Sequence, residues 1–264
     1  MIVKHLLAAL ALTLAAATNG FADVTLKMTT SNTGGGVANK VPGTVYIKGN
    51  RMRTDFEVGT RIQTTIFDVD AQKMYVFDST KKEADAWDMR ALSAELSKQV
   101  APSAVTASIT PNGQAKDIAG QSAAGYRLAI SVAADPDGKT PMQITAKLAG
   151  PVWIAKGAPG AAEYTAFYRA AVEKGFVFSD PRMARTQPGA ARAMVEMYQR
   201  MAEIGGIPYA SEVQISLEGS GPLAAAIAKI GNLSMTTAVD SVATGTVAAD
   251  LFAPPAGYTI NARN

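Results

Sequence analysis

Lys48, Arg51 and Arg53 cluster around the Gly49-Asn50 pair in TVYIKGNRMRTDFEV, residues 44–58. Three cations at that spacing suit either an anion-binding loop or the tip of a β-hairpin. Arg51 and Arg53 have the opposite parity to Met52 and Phe56, so the pattern predicts a hairpin with its arginines on the solvated face. A type I′ turn with positive φ at both Gly49 and Asn50 is expected there. Ser79 and Lys82 match Ser-x-x-Lys, but the Ser-Asp-Asn and Lys-Thr-Gly companions of that nucleophile are absent from the chain. Asp68 and Asp70 are candidate Ca²⁺ ligands. No loop of further oxygen donors with a Gly and a terminal Glu follows them, which favours a plain turn. TGGGVANK (33–40) lacks the Lys-Ser/Thr ending of a phosphate loop. Met194, Met197 and Met201 recur at helical spacing, with Met183 upstream. They predict either core packing or the soft, movable wall of an apolar pocket. Phe167 and Trp153 are candidate lining residues beside them.

Much of enzymology is closed to this chain. Its 264 residues include one histidine, His5, and no cysteine. His5 lies in a segment that reads as a secretory signal. Lys4 and His5 precede the apolar run LLAALALTLAAA (6–17), and Gly20 and Ala22 are the small residues before a cleavage site at Asp23. The run is too short to span a bilayer, which takes roughly 20 residues. Residues 1–22 are therefore expected to be a cleaved signal peptide, residues 23–264 a single domain without a transmembrane segment, and the location periplasmic. Such a chain has no imidazole base, thiol nucleophile or His/Cys metal site. No cofactor is expected, and no enzyme activity. With Lys4 removed, 24 Lys and Arg face 22 Asp and Glu. That weak balance argues against nucleic acid as a partner.

The elements that must position these residues read as sheet, then helix, then sheet. VTLKMTTSNT is a first strand, followed by an expected flexible GGGVANKVPG. TVYIKG, RMRTDFEVG, TRIQTTIFD, KMYVFDS and EADAWDM continue an antiparallel meander with one buried face. DMRALSAELSKQ (88–99) is a helix with Met89, Leu92 and Leu96 on one side and Asp88 as cap. KDIAGQSAAGYRLAISVAAD and MQITAKLAGPVWIAKG flank the turn signal PDGKT. Two amphipathic helices follow. One carries Tyr164, Phe167, Tyr168, Ala171 and Val172 and stops at Gly175. The other starts at Pro188, carries Met194, Met197, Tyr198, Met201 and Ile204, and stops at Gly205-Gly206. PYASEVQISLEG and NLSMTTAVDSVATG return to strand, PLAAAIAKIG is ambiguous, and LFAPPAGYTI closes the chain.

YIKGNRMRTD, VWIA leading into a helix, and LFAPPAGY give the chain a resemblance to exported bacterial proteins grouped under a domain of unknown function. The resemblance spans most of residues 24–260. More distantly, the meander-plus-helices plan is similar to the periplasmic lipoprotein carriers LolA and LolB. It implies an α+β fold, a curved antiparallel half-barrel with helices packed over one face, and an acyl chain held between them. It carries over no catalytic residue. The resulting expectation is non-catalytic binding of an apolar envelope ligand, a lipid or an acylated protein partner. An envelope interaction module with a filled core is the alternative, and a carboxylate-dependent hydrolase is the third reading. The oligomeric state is not legible.

Overall fold

The computed structural model describes residues 22–34, 37–100, 104–134, 144–219 and 233–263. Among these residues twelve strands form one curved, open sheet. They are β1 (Asp23–Gly34), β2 (Val37–Lys48), β3 (Arg51–Val58), β4 (Arg61–Asp68), β5 (Lys73–Asp78), β6 (Glu83–Asp88), β7 (Val105–Ile118), β8 (Gln121–Ala134), β9 (Ile144–Ala155), β10 (Ile207–Gly219), β11 (Leu233–Gly245) and β12 (Thr259–Arg263). Their spatial order is β12-β6-β5-β4-β3-β2-β1-β11-β10-β9-β8-β7. The last third of the chain thus pairs with the first strand, and β11 joins the two halves at the middle of the sheet. Four α-helices, α1 (Met89–Gln99), α2 (Ala161–Glu173), α3 (Pro181–Thr186) and α4 (Pro188–Ile204), accompany the sheet among the described residues.

The helices cover the face that period-2 alternation marks as apolar. Val24, Leu26, Val45, Ile47, Met52, Phe67 and Met74 are all buried on it. The Tyr168 hydroxyl of α2 lies 3.7 Å from Met52 Sδ, and a Cβ on Gly189 of α4 would meet Val132 of β8 at 2.9 Å. Asp88 caps α1, accepting from the amides of Arg90 and Ala91, and α1 buries Met89, Leu92 and Leu96 as expected. The short α3 was not legible as a helix, although Asp180 caps it and Pro181 sits at its first turn. Two apolar clusters result. One fills the space over β1–β6, and the other lies under α4 against β7–β10.

Five expectations need correcting. The sheet is not wholly antiparallel, since β12 runs parallel to β6. Most of GGGVANKVPG is strand rather than loose loop, because β1 runs to Gly34 and β2 begins at Val37, its register partner. The Gly49-Asn50 turn is not type I′. Gly49 has φ +55° but Asn50 is not in the left-handed region, the sign pattern of a type II′ turn. Both central residues are left-handed instead at Ala119-Gly120 (φ +48° and +74°), the β7–β8 turn that the sequence reading ran through as strand. Finally, the far face of β2–β6 is only partly wet, since Arg51 and Ile62 are exposed there but Ile66 is not. Residues 246–258 cross it as a strap. Lys48 Nζ donates to the Val247 carbonyl at 3.0 Å, Arg53 Nη1 to the Leu251 carbonyl at 3.1 Å, and the Phe77 and Tyr258 rings meet at 5.7 Å. Ile66, of opposite parity to Phe67, is fully buried there. The expected PDGKT turn, the PLAAAIAKIG segment and the signal segment at 1–21 lie outside the described residues.

Candidate functional site

The polar candidates resolve into structural pairs. Lys48 Nζ is 2.6 Å from Asp23 Oδ2, Arg51 Nε 3.1 Å from Asp68 Oδ2, and Arg53 Nε 2.9 Å from Asp55 Oδ2. Each cation of the hairpin therefore has its own carboxylate, and no convergent anion cradle is left. Asp68 Oδ1 accepts from the Ala71 amide, closing the β4–β5 turn. Asp70 accepts from Lys174 Nζ at 2.9 Å and from Asn50 Nδ2 at 3.0 Å. The Lys174 hydrogen bond first, then that of Asn50, holds its carboxyl below the usual range. Among the described residues no three His, Cys, Asp or Glu side chains group as metal ligands. Ser79 and Lys82 are both exposed in the β5–β6 turn, where Asp78 Oδ1 accepts from the Thr80 and Lys81 amides. An outer-face groove of about 360 Å³ is lined by Lys27, Tyr46, Asp55, Glu57, Ile62 and Asp240. Asp55 already accepts from Arg53 and Thr64, which leaves it poorly placed as a general base.

The apolar candidates converge better. Rings of Phe67, Phe167, Tyr168, Phe176, Phe178 and Tyr198 pack in series, with centroids 4.6–6.1 Å apart. Tyr168 and Tyr198 stack across the α2–α4 seam at 5.0 Å and 8°. Burial among these rings pushes the Tyr164, Tyr168 and Tyr198 phenols up from their ordinary range. At the seam Tyr164, Thr165, Tyr168, Tyr198, Met201, Ala202 and Gly206 surround a crevice of about 10 Å³. That is room for one water and no more.

α4 is seated lightly. Its fully buried side chains are three alanines, Ala191, Ala193 and Ala202, while Met194, Val195, Met197, Tyr198, Met201 and Ile204 are only half-buried. Its C-terminal end is pinned to α2. Arg169 Nε donates to the Ala202 carbonyl at 3.1 Å, and the Gly206 amide donates to Thr165 Oγ1 at 2.9 Å. Gly205 and Gly206, at φ +72° and +95°, make the turn that follows.

The predicted lining residues are divided by this arrangement. Met197 and Met201 lie against the β7–β10 cluster, and Met201 also lines the crevice. Met194 is half-buried on the same helix. Phe167 is wholly buried in the aromatic series. Trp153 belongs to the β1–β6 cluster, with Lys116 Nζ 3.3 Å above its ring, while its neighbours Val152 and Ile154 belong to the other cluster. Met183 is 50% exposed on α3. Phe176 and Phe178 were missed, although FVF directly after a helix stop is an apolar signal. Thr165 and Arg169 carried none, because their role is a contact with the end of α4, 41 and 33 residues on.

No family model matches the chain, and no curated protein does. Among solved structures, PNGF-II aligns at 11% identity and TM-score 0.37 over 91% of this chain and 31% of its own. The chain thus spans about a third of that protein's length. A domain assigned as an outer membrane lipoprotein-sorting protein from Vibrio parahaemolyticus aligns at 8% identity and TM-score 0.32, over 88% of this chain and 90% of its own. Neither likeness is close enough to carry an inference, so function rests on the chain's own geometry.

Proposed function

We propose that the protein is a non-catalytic, exported binder of an apolar chain, a lipid tail or the acyl group of a modified partner, with α4 as the movable wall. The carrying observation is the seating of α4. A helix that seals a core permanently turns its largest side chains inward. α4 buries only alanines completely, while its partly buried Val195 and Tyr198 pack against one apolar cluster and Met197, Met201 and Ile204 against the other. Hinging at Gly205-Gly206 would part these clusters. Each CH₂ of an entering chain then gains about 0.8 kcal/mol, so a long tail needs no polar recognition motif. The lack of His and Cys after position 5 suits that role. The filled aromatic series favours a second reading, an interaction module with a dry core.

Met197→Gln separates the two. A binder takes up a fluorescent fatty acid, and the variant loses most of that uptake with little change in Tm, because the amide finds water in an opening pocket. In a dry core the amide is left unsatisfied at about 1–3 kcal/mol, which lowers Tm by roughly 2–10 °C. Wild-type protein that takes up no probe, together with that larger Tm loss, leaves only the interaction module.

A further inference from the structure

The part of the outer face that the strap leaves uncovered is a trough rather than a flat surface. It holds about 360 Å³ and crosses β11, β1, β2, β3 and β4 at Asp240, Lys27, Tyr46, Asp55 and Ile62. Five strands span roughly 19 Å at about 4.8 Å per spacing, and the volume falls in the ~300–1,000 Å³ range of small-molecule sites. Two interruptions of the ladder meet beside it. The β1–β11 register shifts between Lys27 and Met28, which leaves Asp240 bulged and unpaired, and bulges re-aim side chains beside functional sites. Pro42, opposite Thr29, brings a residue without an N–H into an interior strand, where proline is ordinarily excluded. Thr29 joins the two, since its hydroxyl donates to Asp240 Oδ2 at 2.9 Å.

We propose that this trough binds a neutral oligosaccharide. Asp55 is neutralised by Arg53, whose Nε donates to both its oxygens. Lys27 and Glu57 engage in no side-chain hydrogen bond or ion pair among the described residues, and Asp240 has only the Thr29 hydroxyl. An anionic ligand would meet Glu57 and Asp240. A cation bridging those two carboxylates would lie over Lys27, on a strand between theirs. A neutral ligand rich in hydroxyls suits both signs, donating to the carboxylates and accepting from the ammonium, and such charge-assisted bonds are the strong ones. The half-buried Tyr46 ring, Pro42 and Ile62, which is 58% exposed, supply apolar surface for the C–H faces of sugar rings between those polar contacts. A trough across five strands suits a chain of rings rather than one. It lies on the face opposite α4, so the inference is independent of apolar-chain binding.

An amide NMR titration of the mature protein with maltohexaose, cellohexaose and chitohexaose tests this, with spermidine and hexagalacturonate as the charged controls. At least one neutral oligosaccharide is expected to shift the amides of Thr44, Tyr46, Asp55 and Asp240 saturably at millimolar concentration or below. Tyr46→Ala and Glu57→Gln should each raise its Kd about tenfold or more, with the circular dichroism spectrum unchanged. Glu57 is exposed, so its variant reports even where Tyr46→Ala perturbs the fold. The proposal is overturned when none of the three sugars shifts these amides, or when spermidine or hexagalacturonate binds more tightly than all of them. Sugar binding indifferent to Glu57→Gln and to Tyr46→Ala overturns it as well.

Discussion

Arg51 and Arg53 are separated by one residue and share a face, yet their energetic weights differ. Arg51 is 52% exposed beside Asp68. Arg53 is 19% exposed, with Nε on both oxygens of Asp55 and Nη1 on a strap carbonyl. Arg51→Ala is expected to cost less than about 0.5 kcal/mol, whereas Arg53→Ala should cost about 1–3 kcal/mol by stranding Asp55 and Leu251. Urea unfolding of the two variants measures the difference. At the adjoining turn, Gly49 has φ +55° with open space around a built Cβ. Gly49→Val should therefore lose about 1–2 kcal/mol through backbone strain alone, while Asn50→Ala, free of that strain, loses only an exposed hydrogen bond to Asp70. The tyrosines between α2 and α4 are expected to make stability fall at alkaline pH. The folded phenols of Tyr164, Tyr168 and Tyr198 sit above the ordinary value of 10.0, so the fold binds their protons more tightly than the unfolded chain does. That stability is complete below about pH 10 and drains away as pH climbs toward the raised values. Tm followed from pH 9 upward should fall beyond about pH 10, and less steeply in Tyr198→Phe.

At the scale of elements, α2 and α4 look alike in sequence but are bound differently. α2 buries Phe167 and Tyr168 completely enough to anchor the aromatic series, whereas α4 buries three alanines. Opening free energy tracks the apolar contact an element must give up. Amides in the middle of α4 are thus expected to exchange with solvent faster than those of α2 by about tenfold or more. Equal protection in hydrogen-exchange mass spectrometry would deny α4 the mobility that the binding reading requires.

For the whole molecule, the strap is the constraint that joins distant parts. From β11 to β12 the chain crosses seven strand spacings, roughly 34 Å at about 4.8 Å each. Residues 246–258 reach about 43 Å when extended at ~3.3 Å per residue, and the 3-10 turn at Ala249–Phe252 consumes part of that slack. Removing three residues within Ala253–Gly257 should pull β12 off β6, seen as lost exchange protection in Glu83–Asp88. Inserting three Gly/Ser residues at the same place should leave that protection intact.

By itself the sequence determined the kinds of element and their buried faces, because these depend on local periodicity. Met52, Phe67 and Met74 alternate into the core as period 2 requires, and Asp88, Gly175 and Gly205 mark helix ends with their own chemistry. It also determined that no imidazole or thiol chemistry operates after His5. Only tertiary structure decided which strand closes on which. β11 pairs with β1 across more than 200 residues, and β12 lies parallel to β6, since pairing depends on chain closure rather than on any local pattern. Ala119 in a left-handed turn carries no signal, because alanine disfavours positive φ and only the register of β7 and β8 imposes it. The burial of Ile66 and Arg53 was likewise invisible. Their alternation says only that they oppose the core, and a strap arriving from the other end of the chain covers part of that outer face.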